Sequence, residues 1–277
     1  MPYATNKEVK IYYETHGKGY PLIFVHGHCG GVDHWEKQIE GLSGRYKVIA
    51  LDRRGFWRSD TPGDGQYSLK DQVEDLHSVV LKAGVDKAVF IGSSMGVPII
   101  IKYYIDHPDK VSGLVSIGGI TAAEDITLPL EVPLDMVRTP EGRCDLIKMT
   151  FAEMSIQKKF DDLLKMQWVA QQSSFDGLAA NIKQLWEGGL DVDMYLPQVK
   201  VPTFIIVGAM DLPAPPVISK IIYDNLSQAR LDILDNTGHL SMVEWPEKCN
   251  ELIEKLVQEN IIKSKPLNKA INFIFRK

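Results

Sequence analysis

Apolar residues in this chain come in short runs, each followed by turn residues and then by a stretch with helical spacing. Val9–Tyr13, Leu22–Val25 and Val48–Leu51 read as strands. Leu69, Val73, Leu76 and Val80 stand four, three and four residues apart and build one apolar stripe, which predicts a helix over Ser68–Ala83. Ser68 suits its N-cap and Gly84 its stop. Ala88–Ile91 and Leu114–Ile117 read as buried strands, with a helix over Val97–His107 between them. Continuous apolar strands alternating with helices predict an α/β fold: a mostly parallel sheet with helices on both faces.

The rhythm breaks after Gly119. Pro129, Pro133 and Pro140 lead into two helix-like stretches, roughly 145–172 and 178–186, that carry Met149, Phe151, Met154, Met166, Trp168 and Trp186. Strand and helix signals resume with Val201–Val207, Pro216–Leu226 and Ala229–Leu234. A last helix begins at Pro246, a residue suited to the first helical position, with Cys249, Leu252, Ile253, Leu256 and Val257 on one face. The expected organisation is a sheet domain made of 1–119 and 201–261, interrupted by a helical insertion over 120–200. A basic tail over 262–277 follows, with Ile271, Phe273, Ile274 and Phe275 among its cations. It is expected to dock a few apolar side chains on the core, with contact to a membrane surface or a partner as the alternative.

Composition narrows the function classes only a little. A net charge of −5 provides no strong field for nucleic acid or an anionic membrane. The polar start, Met1–Lys10, is no secretory signal, and no run approaches the ~18 apolar residues of a spanning helix. Cys29, Cys144 and Cys249 are odd in number and far apart, so a disulfide framework is not expected and the cytoplasm is the expected compartment. The expected partner is a small-molecule substrate, with no nucleic acid and no integral membrane segment; the oligomeric state stays open.

The chemistry is carried by Gly92-Ser93-Ser94-Met95-Gly96, placed between a strand and a helix. A serine at the centre of G-x-S-x-G on such a turn holds its hydroxyl above the sheet edge. Ser93 is the rival nucleophile, but the glycines flank Ser94 symmetrically. A serine hydroxyl needs a base, and the base needs an acid to fix its tautomer. Asp211 and His239 each follow a predicted strand, and the order Ser, Asp, His is that of the α/β-hydrolase elbow enzymes. Asp235 competes with Asp211, yet its nearness to His239 suits it to shaping the loop. The oxyanion of the tetrahedral intermediate needs backbone N–H donors. Met95, next after the nucleophile, offers one; the loop His26-Gly27-His28-Cys29-Gly30-Gly31 offers another, at His28 first and Cys29 second. His26, His28, Asp33 and His34 lie close enough in sequence to suggest metal ligands, but their spacing matches no helical His pair and no acidic cluster completes a shell. No metal and no cofactor are expected, and Cys29 reads as a packed small side chain.

With these motifs in view the chain resembles the α/β-hydrolase superfamily, in particular its small capped esterases, enol-lactonases and C–C-bond hydrolases. The His26-Gly27 loop with Trp35 beyond it, the run from Asp52 to Asp60, the elbow, and the Asp211/His239 pair carry the likeness. The resemblance implies nucleophile, acid and base at Ser94, Asp211 and His239, oxyanion amides at His28 and Met95, and a helical cap inserted after the sixth strand, where 120–200 lies. The chain departs from D-x-R-G-x-G-x-S by placing Trp57 at the second glycine, and Val97 stands where many relatives have glycine. Trp57 either narrows the pocket mouth or packs on the surface. Cys29, Trp57, Trp168 and Trp186 are the candidate pocket residues. Serine at the elbow disfavours the aspartate-nucleophile branches. The expected activity is hydrolysis of a small, largely apolar carboxylic ester or related carbonyl compound through an acyl-enzyme. C–C cleavage and acyl transfer by the same triad are alternatives, and a slow-turnover ligand receptor is the alternative from another class.

Overall fold

The apolar runs pair edge to edge in one sheet. The structure, a computed structural model, describes residues 3–63, 65–122, 134–186, 189–263 and 269–275. Among them nine strands line up in the order β1-β2-β4-β3-β5-β6-β7-β8-β9. These are β1 (Tyr3–Asn6), β2 (Val9–His16), β3 (Tyr20–Val25), β4 (Tyr46–Leu51), β5 (Ala88–Ser93), β6 (Val111–Ile117), β7 (Thr203–Gly208), β8 (Ala229–Leu234) and β9 (Ala270–Ile274). The β1–β2 and β2–β4 pairings are antiparallel and all others are parallel.

Alternation along the strands divides the core into two layers. Ile23, Val25, Phe90, Ile205 and Val207 face one way, onto α2 (Leu69–Lys82), α3 (Gly96–Asp106) and α9 (Pro216–Asn225). Leu22, Phe24, Val89, Ile91, Phe204 and Ile206 face the other way, onto α1 (Glu36–Leu42) and α11 (Pro246–Leu256). Helices thus cover both faces, as parallel strands require. Ser68 caps α2 by accepting from the Asp71 N–H, and Gly84 follows its end at φ +64. No helix among the described residues is long and apolar enough to cross a membrane.

Between β6 and β7 lie α4 (Leu134–Arg138), α5 (Pro140–Met149), α6 (Glu153–Ile156), α7 (Phe160–Gln172) and α8 (Phe175–Trp186). The proline-bearing opening with Pro129 and Pro133 is outside the described residues. Ile147, Leu163, Met166, Val169 and Leu178 join the second core layer. The single stretch expected over 145–172 is broken into three helices. Its first break has a tertiary cause: the backbone leaves the helix where Thr150 O accepts from the His239 N–H and Ala152 N donates to the Glu244 carboxylate. Two strands went unforeseen. β1 is only four residues long, and β9 arises in the basic tail, pairing with β8 from Arg230↔Ala270 to Leu234↔Ile274. Ile274 packs on the core while Phe273 is exposed.

Candidate active site

β5 passes into α3 through a turn too tight for ordinary residues. Ser94 sits at φ +50, in the left-handed region that non-glycine residues rarely occupy. Its N–H donates to Ile117 O at 3.0 Å, and its carbonyl accepts from Val97 N at 2.9 Å, which pins the strained conformation. A Cβ on Gly96 would lie 2.2 Å from Val25 O, so only glycine lets the helix start so close to β3. Ser94 is partly exposed between buried neighbours, whereas Ser93 is buried and its hydroxyl has no partner among the described residues.

Asp211 and His239 meet at the ends of β7 and β8. The Nδ1 of His239 lies 2.9 and 3.0 Å from the two carboxylate oxygens of Asp211, and both side chains are buried. Donation from Nδ1–H to the carboxylate leaves Nε2 with its lone pair, the tautomer a general base needs. Asp211 Oδ1 also accepts from Ala214 N at 2.8 Å, which fixes the carboxylate. The pair packs on Gly118, where a Cβ would stand 2.9 Å from Asp211 Oδ2 and 3.0 Å from His239 Nδ1. Ile117, the residue before it, holds the Ser94 N–H, so Ser94 and the Asp211–His239 pair flank one turn at the end of β6. Asp235 is occupied elsewhere, accepting from the Asn236 amide and donating its N–H to Ile274 O.

The glycine loop covers the serine. A Cβ on Gly27 would lie 2.8 Å from Ser94 Cβ and 3.5 Å from its Oγ. Among the described residues the N–H groups of His28, Cys29 and Met95 have no acceptor within the chain. Cys29 is buried at φ +53, and burial pushes its thiol up to about 12, so it packs rather than reacts. Burial, aided by the charges of Arg53 and Arg143, holds His28 down to about 3; burial, aided by His239, holds His34 down to about 4. Both imidazoles are held neutral, and all four of their ring nitrogens are buried without a partner among the described residues. Among the described residues no three His, Cys, Asp or Glu side chains gather as a metal site.

Trp57, at φ +37, lies edge-on to Trp168 at 5.2 Å between centroids, under the Arg58 guanidinium. Trp168 is 49% exposed, so this pair closes an outer seam between the D-R-R-G loop and α7. Trp186 ends α8, and its side chain is outside the described ones. The sequence reading missed two charged residues beside the site. Glu244, in α10 (Ser241–Glu244), is buried and accepts from Gly238 N at 2.9 Å, from Ala152 N at 3.0 Å and from Ser155 Oγ. Arg53 is buried against the glycine loop. No local pattern marks the contacts of Glu244 with Ala152 and Ser155 or of Arg53 with the glycine loop, because those partners lie far away in the chain.

The α/β hydrolase fold family matches residues 20–246. The AB hydrolase superfamily protein YisY of Bacillus subtilis (strain 168) is 29% identical over 268 residues, which cover 90% of this chain and 96% of that one. A 2-hydroxy-6-oxo-6-(2'-aminophenyl)hexa-2,4-dienoic acid hydrolase of Metapseudomonas resinovorans is 27% identical over 248 residues, covering 86% and 84%. Among solved structures, Est816, described as an N-acyl homoserine lactone degrading enzyme, matches with a TM-score of 0.83 at 26% identity over 91% of this chain and 99% of its own. On sheet order, elbow and match together, this chain belongs to the α/β hydrolase fold family and is a hydrolase enzyme.

Proposed function

We propose that the chain is a cofactor-independent serine hydrolase that cleaves a small, largely apolar carboxylic ester or related carbonyl compound. The observation that carries this reading is the carboxylate-held imidazole of His239, packed on the same turn that pins Ser94. In the proposed cycle Ser94 Oγ attacks the carbonyl carbon as His239 Nε2 takes its proton, and Asp211 stabilises the resulting imidazolium. The His28 and Met95 N–H groups receive the developing oxyanion. His239 then protonates the leaving alcohol, and water, activated by the same imidazole, releases the acid. The segment 120–200 acts as the cap, and the cytoplasm is the proposed compartment. The Metapseudomonas resinovorans relative favours one second reading, C–C cleavage of an oxo-dienoic acid by the same groups.

Ser94→Ala tests the proposal. Turnover of short p-nitrophenyl esters should fall on the order of ten-thousand-fold or more with an unchanged melting temperature. Undiminished turnover by a folded variant would overturn it. A panel of esters and vinylogous diketones separates the two readings.

A further inference from the structure

Arg53 is only 2% exposed, and no carboxylate lies within ion-pair distance of its guanidinium among the described residues. A buried cation without an ion-pair partner is expensive even with the charge of Asp75 nearby, and a well-packed apolar residue in its place would be cheaper. Burial pulls Arg53 down to about 9, so it is charged at neutral pH. What it does with that charge is specific. Nε donates to Gln72 Oε1 at 2.9 Å, Nη1 to the carbonyls of His26 at 3.2 Å and Gly27 at 3.3 Å, and Nη2 to Asn181 Oδ1.

The Gly27 carbonyl belongs to the same peptide unit as the His28 N–H. That unit is planar with C=O and N–H antiparallel, so fixing the oxygen fixes the direction of the N–H. Gly27 O is held from two sides. The Arg53 N–H donates to His26 Nε2 at 2.9 Å, which leaves the His26 proton on Nδ1, 2.7 Å from Gly27 O. The second donor is the guanidinium itself. Charge-assisted donation to a carbonyl polarises the amide and makes its N–H a stronger donor.

The other arms reach the helices between β6 and β7. Asn181 lies on α8, and its Nδ2 donates to Gly177 O at 2.7 Å, which turns Oδ1 toward Arg53. Gln72 donates to Tyr67 O at 3.1 Å and to Gln184 Oε1 at 3.0 Å, so α8 meets this network twice. A displaced α8 would free one arm of the same fork that holds the Gly27–His28 peptide.

We infer that Arg53 is a positioning residue: its guanidinium aims and strengthens the His28 N–H as an oxyanion donor, and Asn181 couples that donor to the seating of α8. This rests on the reading of His28 as an oxyanion donor to a Ser94 adduct.

The test uses the full-length enzyme, Arg53→Lys and Asn181→Ala, with a short p-nitrophenyl ester as substrate and a trifluoromethyl ketone of matching acyl chain as adduct-forming inhibitor. Active sites are counted by fluorophosphonate titration. A misaimed donor loses part of the hundred- to thousand-fold that removing such a donor costs. For Arg53→Lys, kcat per titrated site should therefore fall by about ten- to a hundred-fold, KM should change by less than about twofold, and the inhibitor's Ki should rise in step with the fall in kcat. Asn181→Ala should move kcat and Ki the same way by a smaller factor, and it decides the matter if Arg53→Lys does not fold, because it leaves the guanidinium in place. Wild-type kcat per titrated site, or a change confined to KM, would overturn the inference. So would a lower melting temperature with kcat and Ki unmoved, since that is all a structural role requires. Ser94→Ala separates the two failures: if it abolishes turnover while Arg53→Lys keeps full kcat and Ki, the positioning role alone falls.

Discussion

The sheet and the helices inserted between β6 and β7 are joined to the site in different ways. β3, β5 and β7 contribute apolar side chains to both faces of the sheet, and α2, α3, α9 and α11 close on them through aliphatic and aromatic groups. The inserted helices share one apolar layer with the sheet, but near the site their contacts are polar. Thr150 O accepts from His239 N at 2.7 Å, Ala152 and Ser155 donate to Glu244, and Asn181 and Gln184 meet the Arg53–Gln72 network. Their outer side leaves Phe160, Leu164 and Trp168 exposed along one face of α7. Apolar burial is strong but without direction, whereas hydrogen bonds place atoms within tenths of an ångström. The sheet therefore supplies the platform, and the polar contacts of the insertion align the His239 loop and the glycine loop.

The largest expected effect comes from breaking the platform. Phe90 is fully buried between β5 and the α3 layer, and Phe90→Ala should destabilise the protein by about 3–5 kcal/mol, lowering the melting temperature by roughly 10 °C. Met166→Ala, equally buried but in α7, should instead raise amide exchange across 160–172 while β5–β7 keep their protection. Equal loss of protection in both would merge the two regions into one unit.

Glu244→Gln should have a smaller effect. It removes the charge from a buried carboxylate that joins the His239 loop to Ala152 and Ser155, and should cost about 2 kcal/mol. Because the Gly238 N–H then loses its charged acceptor, kcat should fall along with stability. A variant that loses stability but keeps wild-type kcat would mean that Glu244 joins the regions without aligning His239.

The last expected effect is a pH slope. The apolar platform does not titrate, but His34 beside the site is held down to about 4 and His28 to about 3, against ~6.5 in an unfolded chain. Between those values the unfolded chain binds protons that the native one does not. Stability should therefore be full above about pH 6.5 and fall as pH drops toward 4. The melting temperature should follow that course, and His34→Phe should flatten it in part, leaving the share of His28. An unchanged slope would show that His34 does not stay neutral in the fold.

The difference between the regions also explains what could be read in the chain. Strands β3 to β7 announce themselves by mostly apolar runs, because each is buried on both faces, whereas β8 carries Arg230 and Asp232 among its apolar positions. The elbow is legible because a left-handed Ser94 needs glycines at fixed offsets, and Asp211 and His239 follow from strand ends. The polar contacts leave no such trace. Arg53 and Asn181 are 128 residues apart, and either alone is an ordinary polar residue. The break at Thr150–Ala152 is likewise decided by the His239 loop rather than by local propensity. β9 escaped notice because its outward Ile271 and Phe273 read as a mixed basic tail until pairing with β8 gives them an alternation.

The central claim is that Ser94, and not its buried neighbour Ser93, is the nucleophile. Treating the enzyme with a fluorophosphonate and sequencing the labelled peptide by mass spectrometry tests it directly. The account predicts one adduct per chain, on Ser94, formed in the wild type and lost in Ser94→Ala but kept in Ser93→Ala. An adduct on Ser93, or no adduct on a catalytically active enzyme, would contradict it.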